Sequence, residues 1–246
     1  MTSLQNKIII VTGGSGLLGK SFIEYFNEQG AIAINLELNL STNLSKGEIH
    51  CDITNKDSLL CAINLIISKY HRIDGWVNNA YPRTEDWGNS FENINYNSWM
   101  KNVDLQLNST FLCCQLVLEI MKKQKSGSIV NMASIYGVVG PDFSIYSGTT
   151  MTMPAAYSAI KGGVVNFTRY LASYFGPQSI RINSVSPGGV FNNQDSVFVE
   201  NYIKNVPLRR MALPKDISPT VAFLLSDNST YLTGQNIIID GGWTSK

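Results

Sequence analysis

The chain has 246 residues, enough to bury a full core in one large domain. Hydrophobic residues make up 44% and charged residues 15%, a globular composition rather than a disordered one. A net charge of +1 without a basic stripe argues against a nucleic-acid partner, and two histidines with four cysteines in no CxxC spacing leave no metal site to predict.

In chain order, "KIIIVTGG" reads as a buried strand and "LLGKSFIEYFNEQG" as an amphipathic helix closed by Gly30. "AIAINLE" is a second strand, "GEIHCDIT" a short third, and "SLLCAINLIISKY" a helix. A fourth strand, "DGWVNNA", precedes a long helix over "NSWMKNVDLQLNSTFLCCQLVLEIMKKQ". "GSIVNMAS", the helix "AAYSAIKGGVVNFTRYLASYFG" and the strand "SIRINSVSPGG" follow, and "PKDISPTVAFLLSD" and "QNIIIDGG" add a last helix and strand. Alternation of this kind predicts an α/β fold: one doubly wound (Rossmann) domain over 1–246, its parallel sheet covered by helices on both faces. The cofactor half runs to about residue 133, with a substrate-side insertion at about 138–156 and a loop at about 188–212. No apolar run reaches membrane-spanning length and the N-terminus leads straight into a strand, so no membrane partner and a cytoplasmic location are expected.

The first strand ends in "TGGSGLLG", residues 12–19. Gly13, Gly16 and Gly19 let the backbone turn tightly against a pyrophosphate, which the next helix's N-terminus attracts. The second strand ends at Glu37, where a ribose-binding carboxylate is expected, about 20 residues on. Its other reading is a solvated strand end. Glu37 accepts hydrogen bonds from a free 2′-hydroxyl and repels a 2′-phosphate, and Leu38-Asn39-Leu40 offers no cation to offset this, so NAD(H) is expected over NADP(H). Asp52 either meets the adenine amino group or serves as an acid near a helix N-terminus.

The glycine turn, "NNAY" (78–81), "SIVNMAS" (128–134), "YSAIK" (157–161), "RINSVSPGG" (181–189) and "YLTGQNIIIDGG" (231–242) together resemble the classical short-chain dehydrogenase/reductases, over essentially the whole chain. The resemblance implies an NAD-dependent enzyme interconverting a secondary alcohol and a ketone, assembled as a homodimer or homotetramer. It implies that Ser134 orients the substrate and Tyr157 is the general acid/base. Lys161 would bind the nicotinamide ribose and lower the tyrosine's pKa. On the cofactor side it implies Ser15, Leu18, Ile53, Asn79 and Ala80, and around the nicotinamide Pro187, Gly188 and Val190. The chemistry is sound on elementary grounds: tyrosine titrates near 10, and a cation four residues away on one helix face favours its phenolate.

The chain departs from the family pattern in places. Leu17 stands where a glycine is usual, giving a TGxxGxxG spacing more like the extended branch of the superfamily. Gln106 occupies the place of the usual catalytic asparagine, and its amide can still hold a water; this keeps open a noncatalytic dinucleotide-binding regulator. Tyr81 replaces the last glycine of NNAG. Arg83 reads equally as an anion-binding group or a solvated loop residue. With Asn192 and Asn193 these residues predict a polar substrate rim, and "NNAYPR", "SIYGVVGP" and "SPGGVFNNQ" resemble a subgroup tied to bacterial surface-sugar and flagellin-glycan synthesis. The expected substrate is a small polar molecule, a sugar or sugar phosphate; a reductase of an apolar ketone is the alternative. Ser134 and Tyr157 lie 23 residues apart, against about a dozen in the family. The extra residues, around "DFSIYSGTTM", are expected to cover the substrate, and Tyr136 to line its pocket.

Overall fold

A computed structural model describes residues 3–245. The strands are β1 (Ile8–Thr12), β2 (Ile32–Glu37), β3 (Glu48–His50), β4 (Gly75–Asn78), β5 (Gly127–Met132), β6 (Ile180–Pro187) and β7 (Asn236–Ile239). They form one parallel sheet in the order β3-β2-β1-β4-β5-β6-β7. The helices are α1 (Leu17–Glu28), α2 (Lys56–Tyr70), α3 (Tyr96–Val103), α4 (Ser109–Gln124), α5 (Ala155–Phe175), α6 (Ser196–Asn205) and α7 (Pro214–Leu225). The Rossmann architecture expected from the alternation of strands and helices is thus the one observed.

Side chains alternate across β1, and both faces are buried, which is why "IIIVT" is apolar at nearly every position. Ile8 and Ile10 join Leu59 and Ile66 of α2 and Val117 and Met121 of α4 in one core. Ile9 and Val11 join Phe22 and Phe26 of α1 and Val221 of α7 in the other. Strand order reverses between β1 and β4, and at such a point the loops leaving the strand C-termini diverge and open a crevice.

Two elements differ from the sequence expectation. The long helix over 97–124 is interrupted by a π-helical segment at Asp104–Asn108, so α3 and α4 are separate pieces. The region 188–212 is no simple loop: it contains α6, which buries Phe198 and Tyr202 on one face. Among the described residues no helix is long and apolar enough to cross a membrane, and no group of His, Cys, Asp or Glu could hold a metal ion.

Candidate active site

The glycine turn is shaped by contacts that exclude a β-carbon. Gly13 has φ +65°, and a Cβ there would meet Ala80 Cα at 2.8 Å; at Gly19 a Cβ would fall on the carbonyl of Gly13. Thr12 Oγ1 accepts the amides of Asn79 and Ala80 at 3.0 and 3.1 Å, and Asn79 Nδ2 donates to the carbonyls of Thr12 and Gly13, both at 3.0 Å. Asn79 therefore braces the turn, a role its place in "NNAY" did not reveal. Thr12, which the sequence reading passed over, is the hub. α1 opens at Leu17 after Gly16 with no side-chain cap and no acid in its first turn, so its amides stay available to an anion. Ser15 and Leu18 lie in this turn, and Ser15 Oγ accepts from Asn35 Nδ2 at 3.0 Å.

Glu37 ends β2 half-buried, with Oε1 accepting the Leu38 amide at 2.9 Å. Asp52 Oδ1 closes the turn before α2 by accepting from Thr54 N and Oγ1 at 2.9 and 2.7 Å; that is its helix-entry reading, with Ile53 in the same turn. A cradle without a cap, backed by an acid at the end of β2, fits a dinucleotide pyrophosphate and ribose.

Ser134 follows β5, and its Oγ accepts the Tyr136 amide at 3.2 Å. Tyr157 and Lys161 lie in the first turns of α5 and share one face; Lys161 Nζ is 5.6 Å from the centre of the Tyr157 ring and donates to Met132 O at 2.8 Å. Burial raises the Tyr157 phenol above its ordinary range, while the Ser134 side chain pulls it back. Burial also lowers the Lys161 ammonium to about 8. The resemblance implies that the lysine brings the phenol down; desolvation by burial is the largest influence on the phenol in this structure. Gln106 sits at the centre of the π segment, 5% exposed, with neither amide atom bonded within the protein. A buried amide left unpaired is costly, and a π segment is a frequent marker of a functional site. The place is therefore suited to a water or a ligand group.

The loop after β4 brings Tyr81 to the same place. The Tyr81, Trp87 and Tyr157 rings meet edge to face, with centroids 5.7 to 6.3 Å apart. Arg83 lies over Tyr81 at 5.4 Å, and Lys161 is 5.7 Å from the same ring. Trp87 carries no motif and was not foreseen.

On the other side, the insertion forms a 3-10 turn, Phe143–Tyr146, packed on α6: Tyr146 stacks on Phe198 at 5.5 Å. Asn201 Nδ2 donates to Ile145 O and Ser147 O, and Asn205 Nδ2 to Asp142 Oδ2. Tyr136 is not an open pocket wall. It is buried with Tyr146, Tyr202 and Trp243 in a cluster against which Tyr157 packs, and its hydroxyl has no hydrogen-bond partner. Gly188 packs against Asp240 and Tyr202, and Gly189 N donates to Tyr202 Oη at 2.5 Å. Pro187 ends β6, and Val190 bridges to Ala212. Asn192 and Asn193 are exposed, and no hydrogen bond joins their side chains to the Tyr157 group.

A doubly wound sheet with a glycine cradle and a Ser–Tyr–Lys group at its carboxyl edge defines a dinucleotide-dependent oxidoreductase architecture. The profile of the family described as "Enoyl-(Acyl carrier protein) reductase" matches residues 22–244, and the chain belongs to the short-chain dehydrogenase/reductase family of oxidoreductases. It is 37% identical to a post-translational flagellin modification protein A of Campylobacter coli, covering 98% of this chain and 99% of that one. It is 31% identical to a 3-oxoacyl-[acyl-carrier-protein] reductase FabG of Chlamydia pneumoniae, covering 98% of each. Among solved structures, a short chain dehydrogenase of Leptospira borgpetersenii serovar Hardjo-bovis with bound NAD+ superposes with a TM-score of 0.89 at 36% identity, covering 98% of this chain and 94% of that one.

Proposed function

We propose that the chain is an NAD(H)-dependent oxidoreductase that interconverts a secondary alcohol and a ketone on a sugar, sugar phosphate or related polyhydroxylated substrate. The observation that carries this reading is the meeting of Tyr157, Lys161 and Ser134 beside the uncapped glycine cradle. A nicotinamide held by the glycine cradle and Glu37 would supply the hydride chemistry. Tyr157, protonated at neutral pH, gives its proton to a carbonyl oxygen during reduction; during oxidation the positive charge of Lys161 favours the phenolate that takes the proton back. Ser134 orients the reacting oxygen, and Gln106 holds a water for proton exchange. Glu37 supports NAD(H) over NADP(H), as does the NAD+ in the Leptospira relative. The flagellin-modification relative and the polar groups around Tyr81 support a carbohydrate substrate. Exposed Phe111, Tyr170 and Tyr174 on α4 and α5 support self-association, and four free cysteines suit a reducing cytoplasm.

The test is NAD+ reduction across neutral sugars, sugar phosphates, sugar acids and nucleotide sugars, with a 3-oxoacyl thioester and a steroid alcohol as contrasts. Tyr157→Phe is expected to lower turnover by about a thousandfold while NADH still binds. Equal turnover in the two proteins would remove Tyr157 from the chemistry. Turnover of only the acyl or steroid compound would overturn the carbohydrate reading.

A further inference from the structure

We propose that Arg83 and Trp87 make the loop after β4 a selector for an anionic monosaccharide. The sugar ring lies against Trp87 and Tyr81, and its phosphate or carboxylate pairs with Arg83. This rests on the carbohydrate reading above and adds the charge of the substrate and the residues that choose it.

The loop is a built wall. Asn102 of α3 is 3% exposed and grips Thr84 twice: Thr84 N donates to Asn102 Oδ1 at 3.1 Å, and Asn102 Nδ2 donates to Thr84 Oγ1 at 2.7 Å. Ser98 Oγ then donates to Asp86 Oδ1 at 2.6 Å. Thr84 and Asp86 are thereby pinned to α3, and the residues beside them, Arg83 and Trp87, are carried to the cleft.

The wall's chemistry is aromatic and cationic. Trp87 and Tyr81 stand edge-on to Tyr157, with Tyr81 still 38% exposed, so apolar ring surface lies next to the reacting phenol. A sugar presents C–H groups on its ring faces, and such aromatic surface suits them. Arg83 is exposed, with its guanidinium carbon 5.4 Å from the centre of the Tyr81 ring. Among the described residues three ion pairs form, and none includes Arg83. Glu85, the nearest acid in sequence, is exposed and forms no ion pair with Arg83, and the Asp86 carboxylate is turned to Ser98. Lys161 already donates to Met132 O, whereas the exposed Arg83 pairs with no acid and offers an anion its planar fork. That fork and the Tyr157 ring both lie against Tyr81, so an anion held by Arg83 and a hydroxyl at Tyr157 would flank the same aromatic ring.

The experiment is calorimetric titration of the NADH complex with a hexose, its 6-phosphate and the matching hexuronate, alongside kcat/KM for the same compounds. One or both anionic forms should bind at least about tenfold more tightly than the neutral sugar, the scale of a charge-assisted hydrogen bond. Arg83→Gln should erase that preference while NADH affinity is held, Arg83→Lys should restore part of it, and Trp87→Ala should weaken neutral and anionic sugars alike. Equal binding of neutral and anionic sugars, or a preference that survives Arg83→Gln, overturns the proposal. If sugars are oxidised with that result, the carbohydrate reading stands and the selector falls. If only anionic non-sugar alcohols react and depend on Arg83, the anion site stands and the carbohydrate reading falls.

Discussion

The two sides of the cleft are held by different means. On the cofactor side the contacts fall on the backbone: the glycine turn lies on Ala80, and the Thr12 and Asn79 side chains tie the loops after β1 and β4 by bonding to main-chain amides and carbonyls. On the substrate side, side chains pack on one another, and Asn201 bonds to the insertion's carbonyls. Tyr146 stacks on Phe198, Tyr202 on Trp243 at 4.6 Å, and Asn201 and Asn205 clasp the insertion. A backbone cradle tolerates almost no added atom, whereas a mosaic of side chains drawn from 81 to 243 can be exchanged piecemeal. This division lets one fold keep its glycine cradle while its substrate wall is exchanged, and relatives as different as a flagellin modification protein and an acyl-carrier-protein reductase are 37% and 31% identical to this chain.

The sharpest break between the sides is Gly19→Ala. The new Cβ would lie on the Gly13 carbonyl and 2.7 Å from Gly14 Cα, both backbone atoms that cannot swing aside. Overpacking of about 3 kcal/mol, falling on the turn itself, should weaken NADH by about a hundredfold. Fluorescence titration reads this directly, and unchanged affinity would mean that the turn adapts and the contrast is overstated.

A smaller effect is expected from Tyr146→Ala, which removes an 8% exposed ring from its stack on Phe198. The loss, about 3 kcal/mol by comparison with other buried aromatics, belongs to the contact between insertion and α6. Hydrogen exchange should quicken in α6 first, and KM for the alcohol should rise with NADH affinity intact. A fall in NADH affinity equal to the rise in KM would show that the two sides are one cooperative unit.

The same division explains what was legible in the sequence. β1 declared itself because "IIIVT" is apolar on both faces, and the glycine turn because its spacing is local. Tyr157 and Lys161 were legible for the same reason, being one helical turn apart. α6 was not: Phe198 and Tyr202 form its buried face, but their partners Tyr146 and Trp243 are distant in sequence. The π segment was hidden because one inserted residue hardly disturbs an apolar pattern read over a long window. Trp87 belongs to no motif, and only the grip of Asn102 on Thr84 carries it to the site.

The smallest effect tests whether the substrate side holds an unmade bond. Tyr136 is 7% exposed, its hydroxyl makes no well-formed hydrogen bond although the Tyr146 phenol is its neighbour, and burial raises its phenol far above the ordinary range. An unpaired buried hydroxyl costs stability, so Tyr136→Phe should leave the melting temperature unchanged or raise it, by at most about 1 kcal/mol of stability. A substrate hydroxyl that completes this bond would make the same variant poorer in KM while it is no less stable. A destabilised variant would mean instead that the hydroxyl is already bonded in the free protein, through water or through the neighbouring Tyr146 phenol. Stability and KM moving in opposite directions is therefore the result that separates a hydroxyl kept for substrate from one that merely fills the core.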